Sequence, residues 1–407
     1  MRIRLDRTKW NPAALLVMTV ALYSVTTLSY TFWPKAVSPN RVLGLLIVLE
    51  LAAFYLCTLR RRDLFLLAAC FFTCGISFLL CADHAQNLTD AACFAATVLL
   101  LWKLADRWAA DALFCALRRL RTMLQTIVLL DNLLLIAAFC FPSSYIQLWG
   151  AAKYFQGFTN STHTLCAGVC LLLALTLLLL RDVPFRLYHP LYLLPGLLAI
   201  AMSGARTYLV SALVIVLLYI VYETPPTKLR LLFLPVFVLG TAYLALFSGM
   251  AEKLAFLQSN TALPGSLLAR LTSGRTEFWA LDLDAFLDFD CFHLLFGQGF
   301  DFVYTLNETV YGVRIWAHND VLDLLLSTGL FGTALYGYVI YAALWTLFRR
   351  APGILLPMLL AAYLLFVLLV NGFFGYQHYV YSFAVLALTF MDRKGDADDA
   401  ECDRAGL

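Results

Sequence analysis

The chain has 407 residues, of which 62% are hydrophobic and 14% are charged, and its mean hydropathy is positive. This composition excludes a soluble globular protein, because such proteins are about half apolar and about a quarter charged. The net charge of +3 is small and indicates no nucleic-acid-binding patch. We therefore expect an all-α polytopic membrane protein.

Apolar runs long enough to cross a bilayer recur along the chain, since a helix needs about 20 apolar residues to span the hydrocarbon layer. Twelve transmembrane helices are predicted, near residues 12–32, 41–58, 63–81, 88–105, 124–141, 163–181, 186–203, 206–222, 229–248, 318–347, 353–370 and 374–391. The predicted organisation is a bundle of nine helices (1–248), a loop domain (249–317), three further helices (318–391) and a polar tail (392–407).

The distribution of Lys and Arg predicts the orientation of these helices, because basic residues accumulate on cytoplasmic loops. With the N-terminus inside, twenty-one of the 29 basic residues face the cytoplasm. The other eight face out: Lys35, Arg41, Lys153, Arg206, Lys253, Arg270, Arg275 and Arg314. We therefore predict that both termini lie in the cytoplasm and that the loop domain lies outside the cytoplasmic membrane.

A set of short polar and glycine motifs follows in order through the second half of the chain. It comprises Arg206 after the turn at 203–206, Gly274-Arg275 with Trp279, the Gly-x-Gly turn at 297–299, His318-Asn319, and Gly329 with Gly332. This ordered set resembles the bacterial O-antigen ligase and O-antigen polymerase superfamily over roughly residues 155–345. Two positions differ from the family pattern: Ser327 stands where Glu is often found, and His163 where Asn is common.

The resemblance implies a metal-independent glycosyltransferase of the GT-C type that needs no cofactor. It implies that Arg206 and Arg275 contact the diphosphate of an undecaprenyl-linked glycan and that His318 is the catalytic residue. The other partners of such an enzyme would be a sugar or lipid-linked acceptor and the membrane lipid. Further supporting residues would come from a wider set: Asn319, Asp320, Arg270, Arg314 and His163.

Elementary chemistry supports these roles independently. Polyprenyl diphosphate is already a good leaving group, so the reaction needs charge stabilisation rather than a general acid. Arginine offers a planar fork of charged donors that binds phosphate oxygens without a metal ion. At the start of a helix, Arg206 would be joined by backbone N–H groups that also favour an anion. The His318 imidazole could take the proton of an acceptor hydroxyl, which contributes roughly 10² to 10⁴-fold, and direct displacement would invert the anomeric configuration.

Each of these residues also has a structural interpretation. Arg206 and Arg275 could be interfacial arginines that reach lipid headgroups, and His318 could be a polar residue at a helix start. The nearby carboxylates of Asp320 and Asp323 either orient His318 or complement the helix dipole. Arg270 and Arg314 have either a structural or a substrate-steering role.

Three functions remain open from the sequence. A ligase would move a finished glycan to an acceptor, and a polymerase would join lipid-linked repeat units into longer chains. The third candidate, from another class, is a transporter or flippase of lipid-linked sugars. Transporters often have two repeat-related halves, whereas this chain shows no internal repeat and carries its longest loop after the ninth predicted helix. The sequence therefore favours the two enzymes.

Overall fold

The computed structural model describes residues 11–34, 38–147, 153–181, 183–224 and 275–391. Several sequence predictions lie outside these residues: the ninth transmembrane helix (229–248), the first part of the loop domain (249–274, with Arg270 and Gly274) and the tail (392–407).

The described chain consists mainly of α-helices. In chain order they are α1 (Pro12–Leu28), α2 (Pro39–Cys57), α3 (Arg61–Leu80), α4 (His84–Ala105), α5 (Arg107–Arg119), α6 (Arg121–Phe139), α7 (Thr162–Arg181), α8 (Leu194–Ser203), α9 (Arg206–Leu218), α10 (Arg275–Leu287), α11 (Cys291–Phe296), α12 (Phe302–Tyr311), α13 (Asp320–Arg350), α14 (Leu355–Val370) and α15 (Gln377–Phe390). Two short strands, β1 (Tyr145–Gln147) and β2 (Lys153–Phe155), pair antiparallel between α6 and α7.

The predicted helical membrane architecture is confirmed in its general form. Among the described residues, seven helices are long and apolar enough to cross a membrane: α2, α3, α4, α6, α7, α13, and α9 with the π-helical turn that continues it to Glu223. Three other apolar helices, α1, α8 and α14, are shorter. The total of twelve transmembrane helices therefore stays a prediction.

The largest difference from the predicted boundaries concerns α8. The apolar run begins at 186, but the α-helix begins only at Leu194, after a 3₁₀ turn at His189–Tyr192. Two prolines explain the difference, since proline lacks the N–H that a helix interior requires and is tolerated only in the first turn. Pro190 and Pro195 each occupy such a first-turn position.

The core of the bundle is built around α7, which is buried along almost its whole length. Helix α15 packs along it, and α8 approaches it closely at Gly196. A Cβ at Gly196 would lie only 3.0 Å from side-chain atoms of Val169 and Leu173. Small residues of this kind let membrane helices approach each other and gain packing energy. Helices α7, α8 and α15 therefore form the central packing of the described bundle.

Helix α13 is broken at Gly329, where φ is 63° and ψ is −163°. Just before the break, the carbonyl of Leu326 accepts the N–H of Gln298 at 2.9 Å, and the carbonyl of Ser327 accepts that of Gly299 at 3.0 Å. The Gly-x-Gly turn thus supplies the hydrogen bonds that the end of the first half-helix lacks. Ser327, one of the two departures from the family pattern, is buried at this junction.

Glycine is required on both sides of this junction. A Cβ on Gly297 would lie 2.3 Å from the backbone carbon of Ser327, and a Cβ on Gly329 would lie 2.4 Å from the backbone of Leu295 and Phe296. Both residues also have a positive φ, a backbone conformation that costs free energy for residues other than glycine. The two glycines therefore allow α11 to pack directly against the backbone of α13 at the break.

Candidate functional site

The turn at 203–206 places Arg206 at the first position of α9. Gly204 ends α8 in the left-handed conformation with φ 70°, and a Cβ there would lie 2.6 Å from the ring of Tyr154. The chain therefore reverses tightly before Arg206, whose side chain is half-buried. Free N–H groups at a helix start favour an anion. The prediction that Arg206 opens a helix after a short turn is confirmed.

Arg275 is the first residue of α10 and reaches the loop between α14 and α15. Its guanidinium donates hydrogen bonds to the carbonyl of Val370 and, at 3.2 Å, to Oδ1 of Asn371. Both acceptors are neutral. Burial lowers the pKa of Arg275, Tyr376 raises it, and the like charge of Arg206 lowers it. The two arginines are thus near enough to interact, and they concentrate positive charge at this point.

His318 lies between α12 and α13, two residues before α13 begins, and is nine-tenths buried. Its φ of 56° is in the left-handed region, which costs a non-glycine residue about 1–3 kcal/mol. The preceding residue is fixed on both sides: the Ala317 carbonyl accepts the indole N–H of Trp279 at 2.8 Å, and its N–H donates to Asp323 at 2.9 Å. These contacts hold His318 in an unusual backbone conformation, which is typical of functional positions.

The imidazole of His318 has two competing neighbours at Nδ1. The indole N–H of Trp316 donates to Nδ1 at 2.9 Å, and the carbonyl oxygen of Asn371 lies 3.4 Å from the same atom. An indole N–H can only donate and a carbonyl can only accept, so Nδ1 cannot bond both. The shorter contact indicates that Nδ1 is the acceptor in this arrangement. A neutral ring then carries its proton on Nε2.

His163, at the start of α7, is brought beside His318. The two ring centroids are 6.1 Å apart, and the His163 ring also lies 6.1 Å from that of Tyr376 and 6.0 Å from that of Tyr208. The side chain that departs from the family's common Asn is therefore near the predicted catalytic residue. It adds a polar ring to the wall of the site.

A segment that the sequence analysis missed, residues 371–376 between α14 and α15, closes the site on one side. The carboxylate of Asp320 accepts the backbone N–H groups of Phe373 and Phe374 at 2.8 and 3.2 Å, and also the hydroxyl of Tyr336 at 2.6 Å. A Cβ on Gly375 would lie 1.9 Å from the ring of Trp316, so the segment folds directly over that indole. The pattern Asn371-Gly372 between two apolar runs was the signal that could have indicated it.

The other predicted supporting residues have structural contacts. Asn319 caps α13, since its side chain accepts the N–H groups of Val321 and Leu322. Asp320 fixes the segment 371–376, as described above, and the observed partner of Asp323 is the N–H of Ala317. Arg314 bridges Asp83 at 2.7 Å and Glu308 at 3.2 Å. For Arg314 these ion pairs favour the structural role over substrate steering.

The described residues contain no group of three or more His, Cys, Asp or Glu side chains arranged to hold a metal ion. Metal independence itself stays a prediction, which a chelation experiment can test. The side chains that converge here carry guanidinium, imidazole, indole and phenol groups: Arg275, His318, Trp316 and Tyr208. Of these groups, the guanidinium suits an anionic ligand.

A family model described as O-antigen ligase matches residues 191–337 of the chain. The match confirms the predicted resemblance to the O-antigen ligase superfamily over this segment. The match supports an O-antigen ligase- or polymerase-like membrane function in polysaccharide biosynthesis. No curated protein matches the chain.

The O-antigen ligase match contains the three principal predicted site residues, Arg206, Arg275 and His318. His163 precedes it and Asn371 follows it. The site therefore combines a segment shared with the family and contacts from helices outside that segment.

Proposed function

We propose that this protein transfers a glycan from an undecaprenyl-diphosphate donor to an acceptor hydroxyl in surface polysaccharide biosynthesis. The reaction would take place at the outer face of the bacterial cytoplasmic membrane. The observation that carries the proposal is the convergence of Arg206, Arg275 and His318 from three separate segments. Arg206 lies near enough to Arg275 to affect its pKa, and Asn371 contacts both Arg275 and His318.

In the proposed mechanism the two arginines bind the donor diphosphate. Their planar guanidinium groups match phosphate oxygens, and the N-terminus of α9 adds backbone N–H groups on the Arg206 side. The leaving group gains negative charge as the bond between the anomeric carbon and the phosphate oxygen breaks. Arg206 and Arg275, which are both half-buried, stabilise that charge, and their partial shielding from water strengthens the interaction.

The acceptor hydroxyl attacks the anomeric carbon from the opposite face and inverts its configuration. Its proton passes to His318, and the electron pair of the breaking bond leaves with undecaprenyl diphosphate. To accept a proton at Nε2, the ring must first carry its own proton on Nδ1, with the carbonyl of Asn371 as the acceptor. The bond from Trp316 to Nδ1 must therefore open when the acceptor binds.

A polymerase would use the same chemistry with a lipid-linked repeat unit as the acceptor. The two enzymes are distinguished by supplying the purified protein with one labelled donor and, in turn, a core-lipid acceptor or a second repeat unit. A ligase forms product only with the first acceptor. A transporter of lipid-linked sugars would move the labelled lipid across a proteoliposome membrane without forming either product.

The proposed function is tested by replacing each arginine with Ala and with Lys. A charged hydrogen-bond pair is worth about 1.5–3 kcal/mol, so Arg206→Ala and Arg275→Ala should each reduce transfer at least tenfold. Lys should restore only part of it, because it lacks the fork. Arg314→Ala, which removes an arginine tied to Asp83 and Glu308, is the matched control. Wild-type transfer by either Arg206→Ala or Arg275→Ala, at normal protein levels, would remove that arginine from the site.

The proposed orientation has its own test with a membrane-impermeant thiol reagent in intact cells. Thr309 lies exposed on α12, and Pro352 lies exposed in the turn between α13 and α14. In a cysteine-free background, Thr309→Cys should be labelled, whereas Pro352→Cys should be labelled only after the membrane is permeabilised. The reverse pattern would place the site on the cytoplasmic side.

A further inference from the structure

We propose that Asn371 is a positioning residue that aims the Arg275 guanidinium while leaving its positive charge available to the donor diphosphate. This inference rests on the proposed role of Arg275. Asn371 lies at the end of α14, beyond the segment that matches the O-antigen ligase family, and is completely buried. A buried amide must have its hydrogen bonds satisfied, and among the described residues the Asn371 side chain bonds Arg275 and Tyr208, which both belong to the candidate site.

The direction of these hydrogen bonds fixes how the amide is oriented. Arginine has no acceptor, so the Asn371 atom that lies 3.2 Å from Arg275 must be the oxygen Oδ1. The nitrogen Nδ2 is then left to donate to the hydroxyl of Tyr208 at 3.1 Å. Tyr208 follows Arg206 by two residues on α9 and is itself completely buried. One side chain therefore connects the helix that bears Arg206 to the helix that bears Arg275.

The backbone of Asn371 extends this connection to His318. Its carbonyl oxygen lies 3.4 Å from Nδ1 of His318, in competition with the indole of Trp316. The next residues are held by Asp320 through the N–H groups of Phe373 and Phe374. Asn371 is thus fixed in place from its C-terminal side and can act as a rigid support for both the cation and the imidazole.

The neutrality of the amide is the decisive chemical point. A carboxylate at this position could make the same two contacts, because it accepts from Arg275 and can accept from the Tyr208 hydroxyl. It would also neutralise the guanidinium, and a neutralised arginine attracts a diphosphate less strongly. An amide positions Arg275 by an uncharged hydrogen bond and leaves the net positive charge for the ligand.

Asn371→Asp therefore changes the charge at this position and keeps the size of the side chain. A purely structural role predicts that this variant folds and works like the wild type, since size and hydrogen bonds are retained. Our proposal predicts that the KM for the undecaprenyl-diphosphate donor rises about tenfold or more, with a much smaller change in kcat. Donor binding, measured directly with radiolabelled lipid, should weaken by a similar factor.

Asn371→Ala and Arg275→Ala complete the experiment with the full-length protein in detergent or liposomes. Asn371→Ala leaves Arg275 charged but removes the hydrogen bond that orients it. The donor KM of Asn371→Ala should therefore rise less than that of Asn371→Asp. Arg275→Ala reports on the proposed donor site itself: normal transfer by Arg275→Ala would remove Arg275 from that site and would end the proposed role of Asn371 with it. If Arg275→Ala loses transfer while Asn371→Asp binds and transfers like the wild type, the proposed function stands and the role of Asn371 is wrong. Tighter donor binding by Asn371→Asp than by Asn371→Ala would also contradict the charge argument.

Discussion

The indole N–H of Trp316 donates to Nδ1 of His318 over 2.9 Å, so the residue proposed as a base is held in the tautomer that carries its proton on Nε2. In this form Nε2 can donate a hydrogen bond but cannot take a proton. The carbonyl of Asn371, 3.4 Å from Nδ1, is the partner that the other tautomer needs. In the proposed mechanism, Trp316 therefore holds His318 in the tautomer that cannot act as the base, and the carbonyl of Asn371 supports the one that can.

Trp316→Phe tests this relationship, because it removes the N–H and keeps most of the ring. If His318 acts as a base through Nε2, transfer should stay at or above the wild-type rate when kcat is measured between pH 5.5 and 8. Trp345→Phe, at an exposed position on α13, is the control for the loss of an indole N–H. A tenfold loss in Trp316→Phe with unchanged thermal stability would instead indicate that His318 works as a hydrogen-bond donor from Nε2.

Gly329→Ala should strongly destabilise the protein. Its φ is positive, and the new Cβ would lie 2.4 Å from the backbone of α11, which cannot move as a flexible side chain could. We expect a loss of about 2 kcal/mol or more, with lower accumulation in the membrane and a lower melting temperature. Gly337 lies on the same helix, and a Cβ there would meet no atom within 4 Å, so Gly337→Ala should be neutral or slightly stabilising. Equal stability of the two variants would contradict the account of the kink.

The general helical architecture and the place of Arg206 at a helix start could be predicted from the sequence, because each depends on local patterns. Apolar runs predicted α7 and α13, and the turn at 203–206 predicted that Arg206 begins a helix. The contacts of Asn371 could not be predicted, because its partners are distant in the chain: Tyr208 is 163 residues away and Arg275 is 96 residues away. A single sequence holds no record of such contacts, and the glycine pattern likewise gave no indication of the kink at Gly329.

Asp282, on α10, provides a prediction about pH and stability. Its carboxylate is completely buried, both of its oxygens are without a hydrogen-bond partner among the described residues, and burial raises its pKa to about 7. The ordinary pKa of an unfolded Asp is about 3.9, so the folded protein holds this proton more tightly. Stability should therefore fall as the pH rises from about 4 to 7 and remain reduced above that range.

Asp282→Asn removes this titration and should raise the melting temperature relative to the wild type at pH 8 more than at pH 5. Asp284→Asn, an exposed position on the same helix, should have the same small effect at both values. Thermal unfolding in detergent at the two pH values measures the difference. A stabilisation by Asp282→Asn that does not depend on pH would show that the buried carboxyl is not the cause.

The central claim, that His318 removes the acceptor proton while Arg206 and Arg275 hold the donor, is tested most directly by measuring transfer and donor binding in purified His318→Ala. His293→Ala is the matched control, because it removes a half-buried histidine on α11 that pairs with Asp290. The account predicts that His318→Ala loses at least about a hundredfold in transfer but binds the undecaprenyl-diphosphate donor with nearly wild-type affinity, and that His293→Ala retains both activities. EDTA should leave the wild-type rate unchanged. Near-normal transfer by His318→Ala, or a wild-type rate that EDTA abolishes and a divalent cation restores, would contradict it.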